Sequence, residues 1–253
     1  MHMFVEAGAG VVFNYRQAHD RARKLVQECG AERCLAVPLE LEGTAGAREL
    51  IAATVQRFGQ LDLLVANHGI WEAQDVPINE MKDEQWARTM ATNLDSVFAV
   101  VKYAVEQMKA QMGKGREERP TLNGVKRGGI AVTGSAGRIV LISSTAGQRG
   151  EAYHCDYAAS KGALISMTKG LATELAPDRI AVNCVAPGWI GTDMSAPVLN
   201  DPGMRDRIRQ AIPLGRTGTP EEVAAPVLFL CTEHAGFITG EIFNVNGGAV
   251  LVG

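Results

Sequence analysis

Tyr157 and Lys161, in Tyr157-Ala158-Ala159-Ser160-Lys161, place a phenol and an ammonium where a helical turn puts both on one face. A phenol with its ordinary pKa near 10 is a poor proton donor or acceptor at neutral pH. A cation beside it favours the phenolate and moves it towards the working range, so the pair suits general acid–base chemistry. The same spacing occurs on solvated helix faces, and the surroundings decide between the two. Ile139-Val140-Leu141-Ile142 reads as a strand ending in Ser143-Ser144, with Ser144 thirteen residues before Tyr157. Serines at such a junction also cap helices or close turns. Leu64-Val65 runs into Ala66-Asn67-His68-Gly69, and Asn183-Cys184-Val185-Ala186 into Pro187-Gly188-Trp189-Ile190-Gly191-Thr192. Strand ends with polar or glycine chemistry therefore gather at one sheet edge, where open α/β sheets bind ligands.

The elements that must position these groups alternate along the chain. Strand-like runs fall at 10–13, 34–37, 61–65, 138–142, 180–185 and 241–245, several of them apolar without alternation, as in strands buried on both faces. Helical patterns lie between them at 19–29, 45–58, 83–112, 156–175 and 221–230, the last after Pro220 at a first turn. This predicts an α/β fold: a doubly wound, Rossmann-like parallel sheet with right-handed crossovers, in one domain spanning 1–253. Two segments break the alternation. Residues 113–137, rich in Gly, Lys, Arg and Glu, read as an inserted surface loop, and 187–220 as a substrate lid with a short helix near 204–211.

The bulk properties exclude several classes. Of 253 residues, 46% are hydrophobic and 21% charged, enough apolar material for a large core. The net charge of −3 gives no reason to expect nucleic acid, and no apolar run is long enough to span a membrane. Cys29, Cys34, Cys155, Cys184 and Cys231 are odd in number and scattered, which reads as reduced thiols in the cytoplasm. His68 and His154 lack metal-ligand spacing, so no metal is expected.

At the residues named above, the chain resembles the short-chain dehydrogenase/reductase family over nearly its whole length from Gly10. Ser144, Tyr157 and Lys161 match that family's catalytic set, and Asn93 in Thr92-Asn93-Leu94 matches the asparagine that completes its proton relay. Ala66-Asn67-His68-Gly69 is similar to the family's Asn-Asn-Ala-Gly turn, with Ala66 and His68 as departures. Pro187, Gly188, Ile190 and Thr192 fall on the segment that holds the nicotinamide, and Asn246-Gly247-Gly248 on an Asp-Gly-Gly turn with Asn for Asp. The resemblance implies carbonyl reduction to a secondary alcohol. Tyr157 donates the proton, Lys161 lowers its pKa and holds the ribose, and Ser144 steadies the substrate oxygen. Asn67, Gly69, Pro187, Gly188, Ile190 and Thr192, with Tyr157 and Lys161, line the cofactor. The resemblance also implies a homotetramer, with the 156–175 helix and the apolar Ala249-Val250-Leu251-Val252 expected at interfaces.

At the other end of the cofactor, Asn14-Tyr15-Arg16 follows the second strand of the family's sheet. An acidic residue there would select NAD, and Arg16 favours the 2′-phosphate of NADP. Tyr15, Glu40 and Leu41 complete the expected adenosine contacts. The family's first strand and glycine-rich phosphate loop have no counterpart here. The chain is expected to be N-terminally truncated relative to the family, with 1–10 as the tail of the first helix. Val132-Thr133-Gly134-Ser135-Ala136-Gly137 imitates that loop but lies too close to the next strand for a crossover. Within the family the chain looks most like the 3-oxoacyl-(acyl-carrier-protein) reductases, so an acyl-thioester carbonyl is the favoured substrate. A sugar or polyol dehydrogenase is the near alternative, and a non-catalytic scaffold that lost its cofactor loop the distant one.

Overall fold

The computed structural model describes residues 1–112 and 135–252. The apolar run before Ser143 forms β4 (Gly137–Ile142), buried at every position, and β5 (Ile180–Pro187) is buried over nearly all of its length. They form the centre of a parallel sheet in the order β3 (Leu63–Ala66), β4, β5, β6 (Ile242–Val245). Strands sheathed on both faces need no polar alternation, which is why these segments lack it.

β1 (Val11–Tyr15) and β2 (Cys34–Pro38) form a separate parallel pair, joined through α2 (His19–Cys29). Among the described residues no ladder connects β1 to β3. The gap falls where the family resemblance places the first strand, so the sheet is a doubly wound one in two parts. One helix ties the parts together: α3 (Ala45–Phe58) packs on β1 and β2 and also on α5 (Ser96–Met112). Ala47 and Ile51 of α3 share the main core with Leu64, Val97, Ile139, Leu164 and Val182.

The segment read as one helix over 83–112 is three pieces: α4 (Asp83–Met90), a single π turn at Ala91–Asp95, and α5. The site helix is α7 (Cys155–Leu175), preceded by the short α6 (Thr145–Arg149). A five-residue α1 (His2–Glu6) occupies the expected helix tail, with Phe4 against the smaller core cluster around Val227. After β5, the 187–220 segment carries α8 (Ala196–Leu199) and α9 (Pro202–Ala211), and a bridge pairs Ile190 with Gly218. α10 (Pro220–Leu230) then opens with a reciprocal cap between Thr219 and Glu222. Of the expected 113–137 insertion and the Val132–Gly137 imitation, residues 113–134 lie outside the described residues, and Gly137 opens β4.

Candidate active site

The end of β4 and the first turns of α6 and α7 build one corner. Ser144 caps α6, its Oγ accepting from the Ala146 N–H at 3.1 Å, so the capping role and a place in the site coincide. Tyr157 lies half-buried on the first turn of α7, and the Lys161 ammonium sits 5.8 Å from its ring centroid. Lys161 is buried, and its Nζ donates to the Ile142 carbonyl at 2.9 Å. Ser143 locks the same corner by donating to the Lys161 carbonyl at 2.7 Å.

The π turn brings Asn93 beneath this corner. Fully buried, Asn93 accepts from the Ile70 N–H at 2.7 Å and donates to the Ile70 carbonyl at 2.9 Å and to Ser160 Oγ at 3.1 Å. A π turn widens the helix by one residue, a distortion that recurs at functional sites. Gly69 packs closely here: a Cβ on it would lie 3.2 Å from both Asn93 Oδ1 and Lys161 Nζ, which would have to give way slightly. Gly147 lets α6 touch α7, since a Cβ there would lie 2.5 Å from the Lys161 carbonyl carbon.

A cavity of about 1580 Å³ opens from this corner and runs between β1 and β3. Ser144, Tyr157, Lys161, Asn67, Gly69, Pro187, Gly188, Ile190, Thr192 and Leu41 all line it. Gly188 keeps its turn against the Asn246 side of the site, where an added Cβ would come within 2.9 Å of Asn246 Cβ. Tyr15, Arg16 and Glu40 are not among its lining residues. Arg16 pairs instead with Glu40 at 3.4 Å, and the Tyr15 hydroxyl meets His19 Nδ1 at 3.2 Å. Sequence reasoning missed Trp71, Arg149, Glu151 and Met194, which line the same cavity. Trp71 lies two residues beyond Gly69, a position that marks it as part of the same strand-end loop.

Two family models divide the chain. One described as short chain dehydrogenase matches residues 1–116, and one described as enoyl-(acyl carrier protein) reductase matches 122–250. A 3-oxoacyl-[acyl-carrier-protein] reductase of Synechocystis is 36% identical over 96% of this chain and 88% of its own length. An acetoacetyl-CoA reductase of Rhizobium meliloti is 35% identical, with the same coverage. The chain is a short-chain dehydrogenase/reductase. As a member of that family it is an enzyme, an oxidoreductase of carbonyl groups, which removes the non-catalytic alternative. Its fold agrees: the crystal structure of a short-chain dehydrogenase/reductase from Brucella melitensis, described as a glucose/ribitol dehydrogenase, superposes with a TM-score of 0.82 at 32% identity. That match covers 99% of this chain and 90% of the other.

The electrostatics of this dehydrogenase/reductase site differ from expectation in one respect. Tyr157 is not drawn down towards neutrality: burial pushes it up to about 12, the Ser144 hydroxyl pulls the other way, and Glu151 adds to the rise. Burial likewise lowers Lys161 to about 8, with Cys184 opposing. Two desolvated groups each favour their neutral form, and burial is the largest cause for both. His68, the departure from the family turn, is lowered to about 4, first by burial and then by Lys161. Its Nε2 lies 2.6 Å from Ser96 Oγ, whose proton goes to the Thr92 carbonyl at 2.6 Å, so the ring donates. Among the described residues no cluster of His, Cys, Asp and Glu is arranged to hold a metal ion, and no helix is long and apolar enough to cross a membrane.

Proposed function

We propose that this enzyme reduces the 3-oxo group of an acyl thioester or a close analogue to a secondary alcohol, using NADP(H). The observation that carries the reading is the gathering of Ser144, Tyr157 and Lys161 on one wall of a cavity large enough for cofactor and substrate together, with Asn93 buried directly behind them. The names of the relatives, a 3-oxoacyl reductase and an acetoacetyl-CoA reductase, support the substrate class.

The residues at the strand ends fit the nicotinamide half of such a cofactor. Gly69 and Gly188 leave their backbones bare where side chains would collide with Lys161 or Asn246, and Asn67, Ile190 and Thr192 line the same wall. Lys161 would hold the ribose hydroxyls, and Arg16, beyond β1, would meet a 2′-phosphate once released from Glu40. When bound, the reduced nicotinamide supplies the hydride. Tyr157 gives its hydroxyl proton to the substrate oxygen as the C–H bond forms, so that carbonyl, hydride and proton sum to the alcohol. A phenol held near 12 is fully protonated at neutral pH but a weaker acid than a free tyrosine, so its proton moves only as negative charge builds on the carbonyl oxygen. Ser144 donates to the developing oxyanion. Lys161, with Asn93 close by beside Gly69, would return a proton to Tyr157. Residues 187–220 act as the lid, and Arg21 of α2 pairs with Asp193 within it. The enzyme works in the cytoplasm as a homotetramer. A polyol dehydrogenase is the second reading, favoured by the likeness to the Brucella glucose/ribitol dehydrogenase.

Following NADPH absorbance with acetoacetyl-CoA, and NADP⁺ reduction with ribitol, separates the two readings. Turnover of acetoacetyl-CoA alone is expected. Turnover of neither would overturn both.

A further inference from the structure

The substrate end of the cavity is walled by aromatic rings that the proton chemistry does not use. Trp71 and Trp189 both line it and meet edge to face, with centroids 5.9 Å apart and planes at 89°. His154 stacks on Trp71 at 5.1 Å and 20°. Neither indole N–H has a hydrogen bond among the described residues.

This corner is held from several directions. Ile70, directly before Trp71, is bonded through both its N–H and its carbonyl to Asn93. Glu72, directly after, is paired with Arg88 of α4 at 2.5 Å. The Val76 N–H donates to the carbonyl of Tyr153, a residue in the left-handed region at φ 64°, which joins the Trp71 loop to the turn before α7. His154 is buried, its Nδ1–H donates to the Ala152 carbonyl at 3.2 Å, and its Nε2 faces Asp75 at 3.8 Å. Trp189 is fixed through its carbonyl, which accepts from the Gly218 N–H at 2.9 Å. The ordering cost of the Trp71 ring is therefore largely met before a ligand arrives, and Trp189 is held by its backbone bond and its contact with Trp71.

From this geometry we infer that Trp71 and Trp189 select a carbonyl substrate bearing a flat ring next to the reacting carbon, in preference to a straight alkyl chain. The indoles meet edge to face and His154 covers one face of Trp71, so a ligand meets two ring surfaces at a right angle where the pair lines the cavity. A flat group satisfies both at once, whereas a flexible chain gains only area and loses rotamer freedom. The inference rests on the carbonyl reductase reading above and names its substrate class more narrowly.

Intrinsic fluorescence tests it without turnover. Trp86 on α4 is exposed and is not a lining residue of the cavity, so Trp86→Phe leaves the corner's two indoles as the reporters. In that background, with NADP⁺ in excess, ethyl benzoylacetate and ethyl 3-oxononanoate are titrated; both are 3-oxo esters, and phenyl and hexyl carry the same number of carbons. The phenyl ester is expected to bind about five-fold tighter. Trp71→Leu should erase that difference while leaving the hexyl ester and NADP⁺ unaffected, and Trp71→Phe should keep part of it. Equal affinities, no saturable quenching, or equal losses for both esters in Trp71→Leu would overturn the inference. So would an effect confined to NADP⁺. Ring-selective binding without reduction of either ester would sink the proposed function and leave this inference standing. Equal binding with rapid reduction of both would do the reverse.

Discussion

The two parts of the sheet are built to different standards. β4 is buried at all of its positions, whereas β1 is only half-buried along its whole length and β2 is deeply buried only at Cys34. Around β4 and α7, polar groups are tied inward: Ser143 to Lys161, Lys161 to Ile142, and Asn93 to Ser160 and Ile70. Around β1 and β2 the polar contacts run mainly along the surface, as in Arg57 to the Ala31 and Glu32 carbonyls and Arg16 to Glu40. The catalytic half is a finished core, and the half expected to carry adenosine is a two-stranded pair held by its ladder and by α3. A pair of strands alone is marginal in water. On the proposed reading, the chemistry falls to the well-packed part and the choice between NADP and NAD to the part with least to hold it.

The sharpest way to break this comparison acts on one oxygen atom. Tyr157→Phe should lower kcat for carbonyl reduction by roughly 10²–10⁴-fold, the usual worth of a positioned general acid, with no change in Tm. Retained turnover would show that the rigid corner is not where the proton comes from. A paired core deletion measures the rigidity directly. Leu141→Ala in β4 should cost about 2–5 kcal/mol in denaturant unfolding, and Val12→Ala in β1 only about 1 kcal/mol. Equal losses would mean that the two parts are equally well packed. On the weaker half, Arg16→Asp should reverse the preference for NADPH over NADH, removing a charge-assisted contact of about 1.5–3 kcal/mol. Unchanged kcat/KM ratios would leave Arg16 a surface partner of Glu40 only.

The remaining test is a dependence on pH. Lys161 is held near 8, below the 10.5 of an ordinary lysine. Between those values the unfolded chain binds the extra proton, so its contribution to stability rises with pH across that window. Tyr157, raised to about 12, works in the opposite direction above pH 10, because the unfolded chain loses its proton first. The stability of wild type minus that of Lys161→Met should therefore climb from about pH 8 to pH 10. A flat difference would place Lys161 in a more polar setting than its burial indicates.

Much of this was legible in the chain because it depends on local pattern. The strand ends and the Tyr157–Lys161 spacing are visible in apolar runs and periodicity, and α3 and α2 fall at their expected bounds. The π turn was not, since Ala91-Thr92-Asn93-Leu94-Asp95 contains no proline or glycine and its extra residue answers to tertiary contacts of Asn93. Nor was the direction of the Tyr157 shift. A neighbouring cation is evident from spacing, but desolvation depends on how many other segments close over the pair. The Trp71–Trp189 corner joins residues far apart in sequence, and single tryptophans in loops carry no signal of meeting.

The gap between the two sheets has a consequence for solubility. Among the described residues, β1 and β3 each turn an edge without a ladder partner towards the cleft, a row of amides and carbonyls of the kind that templates pairing between chains. Soluble proteins usually disarm such rows on their outer rim with lysines, prolines or bulges. Here the rows face each other inside a slot walled by α3 and α10 residues such as Ile51, Phe58 and Val227, so another folded domain cannot reach them edge-on. The burden that charged or proline-bearing rims carry in other sheets thus falls here on the helices that wall the slot.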